Sequence, residues 1–140
     1  MTASERLSKV ADMFAAVPKE VRLEALLDYS RRLPELPERL LDHPELMEPV
    51  PECQTPFSML AERENGGVRL FFRVPPQAPT VRGYAGILHE ALDGAPAAEI
   101  LEVPNDFYQH MGLQEAVSGQ RLRGMGAILA RLKTQVAALG

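Results

Sequence analysis

The stretch FSMLAERENGGVRLFFRV, residues 57–74, is the strongest indicator of the fold because its apolar side chains recur at every second position. Such alternation is typical of a β-strand with one buried face. The predicted inward set is Val68, Leu70, Phe72 and Val74. Asn65, Gly66 and Gly67 separate this strand from the preceding one and suit a tight turn. The stretch therefore predicts a β-hairpin with a single buried face.

Helical periodicity surrounds the hairpin. Thr2 and Glu5 have the spacing of a capping box ahead of a first amphipathic helix. A second helix is predicted between Pro18 and Pro34, with an apolar stripe of Leu23, Leu26, Leu27 and Leu33. A third is predicted between Ala78 and Gly94, and a last one after Ser118. Residues 33–52 contain many prolines, so we expect only a turn of helix and an edge strand there.

These elements predict an α+β fold, in which a small antiparallel sheet of about three strands packs against N- and C-terminal helices. The chain of 140 residues, 46% of them hydrophobic, is expected to form one domain spanning residues 1–140. Because the terminal helices would cover the same sheet face, we also expect them to pack on each other.

Composition excludes several classes of function. The net charge of −4 leaves no basic footprint for nucleic acid. No signal peptide and no apolar run long enough to cross a bilayer is evident, so a cytoplasmic protein without membrane contact is expected. A single cysteine excludes an internal disulfide, a CxxC redox pair and a site built from several thiolates.

That cysteine, Cys53, lies in EPVPECQTPFSML, residues 48–60, among prolines and polar residues. This context predicts an accessible or lightly covered thiol on a loop. Glu48 and Glu52 would raise its pKa, and only the thiolate is a strong nucleophile. The sequence therefore indicates an accessible thiol without local activation.

The remaining polar residues offer few candidate sites. The histidines, His43, His89 and His110, are scattered, so no metal site is predicted. A Cys-His hydrolase would require the fold to bring one of them to Cys53. Arg121 and Arg123 fall in the first turns of the last helix and are either solvated or facing an acidic partner or the thiol.

Five short segments occur in order along the chain: LPELP at 33–37, Val50 with CQT at 53–55, TVRG at 80–83, MGL at 111–113 and R-x-x-G-M at 121–125. Together they resemble the SufE family of sulfur-acceptor proteins. The resemblance runs from about Val17 almost to the C-terminus. It implies the sandwich that this family shares with scaffold proteins of iron-sulfur assembly, often called SufE/IscU-like.

The resemblance also implies a function. Cys53 would be the catalytic residue that receives persulfide sulfur from a SufS-type cysteine desulfurase, stimulates that enzyme and passes the sulfur toward an iron-sulfur scaffold. Gln54, Arg121 and Arg82 would contact the partner. The chain would bind no cofactor, since pyridoxal phosphate belongs to the desulfurase. Such a protein is a carrier and activator more than an independent enzyme. With one cysteine, its persulfide cannot collapse into an internal disulfide.

Glu52 departs from the family pattern, which has glycine before the cysteine. This difference keeps a second hypothesis open: a non-catalytic binding module of the same fold that regulates a desulfurase or a related partner through its surface. The two hypotheses differ in whether function depends on Cys53.

Overall fold

The hairpin predicted from residues 57–74 forms the centre of the structure, a computed structural model that describes residues 1–140. Its sheet contains β1 (Glu48–Pro49), β2 (Ser58–Glu64) and β3 (Gly67–Arg73) in the antiparallel order β1-β2-β3. The register pairs Ser58 with Arg73 and Glu64 with Gly67. Asn65 and Gly66 turn the chain with φ values of 51° and 81°, a left-handed backbone that Asn-Gly adopts readily.

Six α-helices accompany the sheet: α1 (Ala3–Ala15), α2 (Lys19–Arg32), α3 (Glu38–Asp42), α4 (Pro79–Leu92), α5 (Ala97–Leu101) and α6 (Gly119–Ala138). Short 3-10 helices occupy Pro44–Leu46, Phe107–Met111 and Leu113–Glu115. The capping box of Thr2 and Glu5 is present, and Ser118 Oγ accepts a hydrogen bond from the backbone N–H of Arg121. The predicted α+β class is confirmed. None of the helices combines the length and the apolar character that a membrane crossing requires.

One face of the sheet forms the core. The alternating set of β3, namely Val68, Leu70, Phe72 and the following Val74, is buried as predicted. Helix α6 packs on β2 and α4 packs on β3, while α2 packs mainly on α4. The α2–α4 contact is close because Gly83 and Gly86 bring the α4 backbone against the carbonyls of Leu26 and Tyr29.

Two expectations need correction. Helix α1 packs chiefly on α4, α5 and residues 107–111, whereas α6 packs on β2 and α5. The terminal helices are therefore not principal partners, because a three-stranded sheet is covered by α4 and α6 and leaves no room beside them for α1.

The buried face of α2 also differs from the predicted one. Leu23 and Leu27 are 40% and 38% exposed, and the buried positions of this helix are Leu26, Tyr29 and Ser30. This face is buried because the glycines of α4 leave room for the α2 backbone to approach closely. Apolar spacing within α2 could not indicate that choice.

Candidate functional site

Cys53 lies on the connection between β1 and β2, which we call the Cys53 loop (residues 51–56). The loop is closed at its base by a hydrogen bond from the Val50 N–H to the Phe57 carbonyl, at 2.9 Å. A tight turn follows, in which the Cys53 N–H donates to the Val50 carbonyl at 3.2 Å. Glu52 and Gln54 are exposed, whereas Cys53 is half-buried. The loop therefore turns its thiol inward while its other polar side chains face solvent.

The thiol lies against the first turns of α6. Its Sγ is 3.9 Å from the carbonyl oxygen of Gly124, a weak hydrogen-bonding contact. A Cβ atom at position 124 would lie 3.3 Å from this sulfur, so glycine provides the space. Beside the sulfur is a cleft of about 10 Å³, lined by Cys53, Gln54, Thr55, Ala78, Val81, Gln120, Arg121 and Gly124. A space of that size holds about one water molecule.

This environment keeps the thiol protonated. Burial raises the pKa of Cys53 to about 11, and the carboxylate of Glu52 adds to the increase. The sequence indicated the effect of Glu52 but not the larger effect of burial. Because the thiolate is the nucleophilic form, a raised pKa slows the reaction of the thiol in this position.

Glu52 is held by an ion-pair cluster on α6. Arg131 Nε and Nη2 donate to its carboxylate at 2.9 and 3.1 Å, and Arg131 Nη1 donates to Glu48 at 3.1 Å. Gln135 Nε2 donates to the other oxygen of Glu48 at 3.0 Å. The hydrogen bonds from Arg131 lower the pKa of Glu52. The residue that departs from the family pattern is therefore accommodated by a specific partner.

Two buried hydroxyl groups near the thiol have no hydrogen-bond partner, those of Thr55 and Tyr84. Thr55 lines the cleft, and Tyr84 is fully buried in the core. Burial raises the pKa of Tyr84 well above its usual range, with further contributions from Tyr108 and Cys53. The wall of the cleft therefore retains hydrogen-bonding capacity that no protein atom uses.

The structure brings two of the predicted partner-binding residues to the thiol. Gln54 and Arg121 both line the cleft and are exposed, and Arg121 Nη1 lies 3.5 Å from Thr80 Oγ1. Arg82 lies elsewhere: it donates from Nη1 to the Val74 carbonyl at 2.7 Å and from Nε to the Ser30 carbonyl at 3.0 Å. It borders a separate open groove of about 710 Å³. Partner contact by all three residues stays a prediction.

No histidine lines the Cys53 cleft. His43 pairs with Glu45 at 3.3 Å, and His89 lies 3.7 Å from Asp93. No group of side chains has the arrangement of a metal site. Without a base beside Cys53, the geometry does not support a Cys-His hydrolase.

Sequence reasoning missed Arg131 and Gln135. They lie one turn apart on α6, beside its apolar stripe, and read as ordinary solvated residues. The only available signal was the unusual Glu52, which needed a cation that the sequence alone could not locate. Gly124, in contrast, belongs to the R-x-x-G-M segment at 121–125 that carries the family resemblance.

Fold and site together define a small α+β protein that presents one thiol on a loop over a helix. The model of the SufE family, described as an Fe-S metabolism associated domain, matches residues 8–136. Uncharacterised SufE-like proteins of Mycobacterium tuberculosis are 46% identical over 131 residues, which cover 93% of this chain and 90% of theirs. The chain belongs to the SufE family, associated with Fe-S metabolism.

More distant and structural relatives agree. An uncharacterised SufE-like protein of Synechocystis is 27% identical over 140 residues, which cover 98% of this chain and 84% of that protein. The solution structure of a hypothetical protein from Thermus thermophilus superposes with a TM-score of 0.86 at 42% identity, covering 99% of this chain and 98% of that one. The family and the fold predicted from the sequence are confirmed.

Proposed function

We propose that this protein accepts persulfide sulfur from a cysteine desulfurase on Cys53, stimulates that enzyme and delivers the sulfur to iron-sulfur cluster assembly. The observation that carries the proposal is one thiol on a loop whose base is fixed while its tip makes few contacts, in a chain of the SufE family. No second cysteine competes for the sulfur. The small cleft and the unpartnered hydroxyl of Thr55 offer room and polarity beside the sulfur.

The acceptor step is a thiol–persulfide exchange. The Cys53 thiol first loses its proton to solvent or to a base of the partner. The resulting thiolate attacks the outer sulfur of the desulfurase persulfide, so that a new S–S bond forms on Cys53. The S–S bond of the donor breaks, and the desulfurase cysteine leaves as a thiolate. No external oxidant or reductant is needed.

The high pKa of Cys53 opposes the loss of the proton that this step requires. In the described position the thiol is protonated and half-buried, so it must leave its contact with Gly124 before it can attack. Release of the sulfur from this contact would lower its pKa by removing the burial that raises it. A single thiol that carries sulfane sulfur also suits a reducing compartment such as the cytoplasm.

The test is to incubate the protein with a pyridoxal-phosphate cysteine desulfurase and free cysteine, and then to record an intact mass without reductant. We expect the gain of one sulfur atom, mapped by peptide analysis to Cys53, and no gain when the desulfurase is omitted. Cys53→Ser should abolish both the gain and the stimulation of cysteine turnover while keeping the fold. Stimulation that survives this substitution would exclude the carrier role.

The covered, protonated state of Cys53 favours a second candidate, a binding module that regulates a desulfurase without accepting sulfur. It predicts an affinity for the desulfurase that is the same for the native protein and for Cys53→Ser, together with no sulfur on Cys53 after turnover. A thiol that alkylates when the protein is unfolded but never gains sulfur in the presence of several desulfurases would support this candidate.

A further inference from the structure

The Cys53 loop has very few polar attachments beyond its base. The carboxylate of Glu52 bonds to Arg131, and the Cys53 thiol contacts the Gly124 carbonyl at 3.9 Å. The side chains of Gln54 and Thr55 make no hydrogen bond to the rest of the molecule. No backbone hydrogen bond joins residues 51–56 to α6. The thiol contact is long and weak. The Glu52–Arg131 pair is therefore the principal polar attachment of the loop tip.

Arg131 is held in place independently of Glu52. Its Nη1 donates to Glu48 on β1, and Glu48 in turn accepts from Gln135 Nε2. Gln135 is fixed on β2, where its Oε1 accepts from the Ala61 N–H at 2.8 Å and its Nε2 donates to the Met59 carbonyl at 3.2 Å. Arg131 therefore keeps its orientation when the Glu52 side chain moves away, and Glu52 can pair with it again when the loop closes.

We infer that Arg131 is a positioning residue, which acts through Glu52 as an ionic latch that holds the Cys53 loop closed on α6. The latch lies next to the reactive residue, so opening it moves the thiol away from Gly124. Planar guanidinium and carboxylate groups in bidentate contact fix direction as well as distance. The inference rests on the proposed function only in that a released Cys53 is the form that a desulfurase persulfide would meet.

The latch and the loss of charge alone predict opposite effects of Arg131→Met on the reaction rate of Cys53. Arg131→Met keeps the aliphatic stem and removes the cation that pairs with Glu52, the neighbour of Cys53. By charge alone, this loss would raise the pKa of Cys53 and slow its reaction. If Arg131 holds the loop closed, the same substitution exposes the sulfur and speeds the reaction. The sign of the change therefore distinguishes the two effects.

The experiment measures alkylation of Cys53 by iodoacetamide, a neutral reagent, in the isolated native protein at fixed pH. We expect Arg131→Met to react roughly two- to fivefold faster than the native protein, the range that a networked surface ion pair spans. Salt should speed the native protein and leave the variant nearly unchanged, because screening weakens an exposed pair. A rate for Arg131→Met that is equal to or below the native rate would overturn the inference.

Control variants keep the test decisive. Arg39→Met removes another bidentate pair, that of Arg39 with Glu62, which does not touch the loop, and should react at the native rate. Arg131→Lys keeps the charge but loses the planar guanidinium that donates two hydrogen bonds to Glu52. An intermediate alkylation rate is therefore expected for this variant, and it tests the inference even if Arg131→Met folds poorly. Because no desulfurase is present, a failed latch and a failed sulfur transfer give separate results.

Discussion

At the scale of a residue, the reactivity of Cys53 is decided by position and not by an adjacent base. Its thiol is half-buried against Gly124, and burial contributes more than Glu52 to the rise of its pKa to about 11. At pH 8 about one thiol in a thousand is then ionised in this position. A protonated thiol reacts slowly with oxidants and alkylating reagents, so this position disfavours reaction of Cys53.

This state predicts the pH dependence of alkylation. The rate for the native protein should rise by about tenfold per pH unit between pH 7 and pH 9 without a plateau, because the thiolate fraction keeps growing below the pKa. In denaturant the pKa should return to about 8.5 and the rate at pH 8 should increase. The measurement is a series of iodoacetamide rates at graded pH. A plateau in the native protein below pH 9 would contradict the covered position.

Gly124 offers a second test at this scale. Gly124→Ala places a Cβ 3.3 Å from Cys53 Sγ, so the sulfur must move outward by a few tenths of an ångström. Alanine also favours the helix by up to about 1 kcal/mol relative to glycine. We therefore expect faster alkylation of Cys53 without loss of thermal stability. A slower reaction, or a large fall in the melting temperature, would show that the thiol cannot yield in the direction that the structure indicates.

At the scale of elements, the contact between α2 and α4 organises the helical layer. Gly83 and Gly86 lie one turn apart on α4 and face the carbonyls of Leu26 and Tyr29. The tight approach turns Leu26 and Tyr29 inward and leaves Leu23 and Leu27 partly exposed. Backbone atoms cannot move aside as a flexible side chain can, so a side chain at either position would push the two helices apart.

Gly83→Ala should therefore destabilise the protein by about 1–3 kcal/mol, the usual cost of overpacking a core. Its Cβ would clash with the Leu26 carbonyl oxygen. The matched control is Gly119→Ala in the first turn of α6, where the nearest atom is the end of the Arg123 side chain at 3.5 Å. That control should be neutral or slightly stabilising. The measurement is chemical denaturation of both variants, with the same dependence of the unfolding free energy on denaturant concentration. Equal stabilities of the two variants would exclude the close contact.

At the scale of the whole molecule, the segment after α4 closes the outer edge of the sheet. The Val68 N–H donates to the Ala95 carbonyl at 2.9 Å, and the Gly94 N–H donates to the Val68 carbonyl at 2.7 Å. Asp93 Oδ1 accepts from the Leu70 N–H at 2.8 Å. These bonds cover part of the β3 edge. On the other side β1 pairs only with Ser58 and Met59, and the Gln135 side chain occupies the Ala61 N–H of β2. Both arrangements limit edge-to-edge pairing between molecules.

His89 makes this region sensitive to pH. Burial lowers its pKa below the ordinary value of 6.5, partly offset by Asp93 and Glu90 and assisted by Arg69. In the unfolded chain the imidazole takes up a proton more readily, so the unfolded state gains protons first as the pH falls. The stability that His89 contributes is thus complete above pH 6.5 and is lost as the pH decreases through the folded-state pKa.

We expect the free energy of unfolding to decline as the pH is lowered from 7 toward 5, and His89→Gln to reduce this slope. The matched control is His43→Gln, at an exposed histidine that pairs with Glu45. Denaturant titrations at graded pH would check the slopes. If the native protein and His89→Gln lose stability in parallel, the half-buried imidazole is not the group responsible.

Sequence alone was sufficient to predict the local structure and to locate the single thiol, Cys53. Alternation in residues 57–74 specified the hairpin, the helical spacing specified the long helices, and Thr2, Asn65 and Ser118 marked their beginnings and the turn. These features depend on neighbours a few residues away, which a linear pattern records. The same patterns predicted the α+β class, and the segments that resemble the SufE family added the candidate role of Cys53.

Which surfaces meet, in contrast, depended on tertiary packing. It placed α1 away from α6, selected the buried face of α2, and brought Arg131, 79 residues distant, to Glu52. It also separated Arg82 from the cleft that Gln54 and Arg121 line. The reason is physical: burial, close backbone approach and ion pairing depend on distances in space between residues far apart in the chain. The thiol of Cys53 has its high pKa for the same reason, since the fold and not the loop sequence buries it.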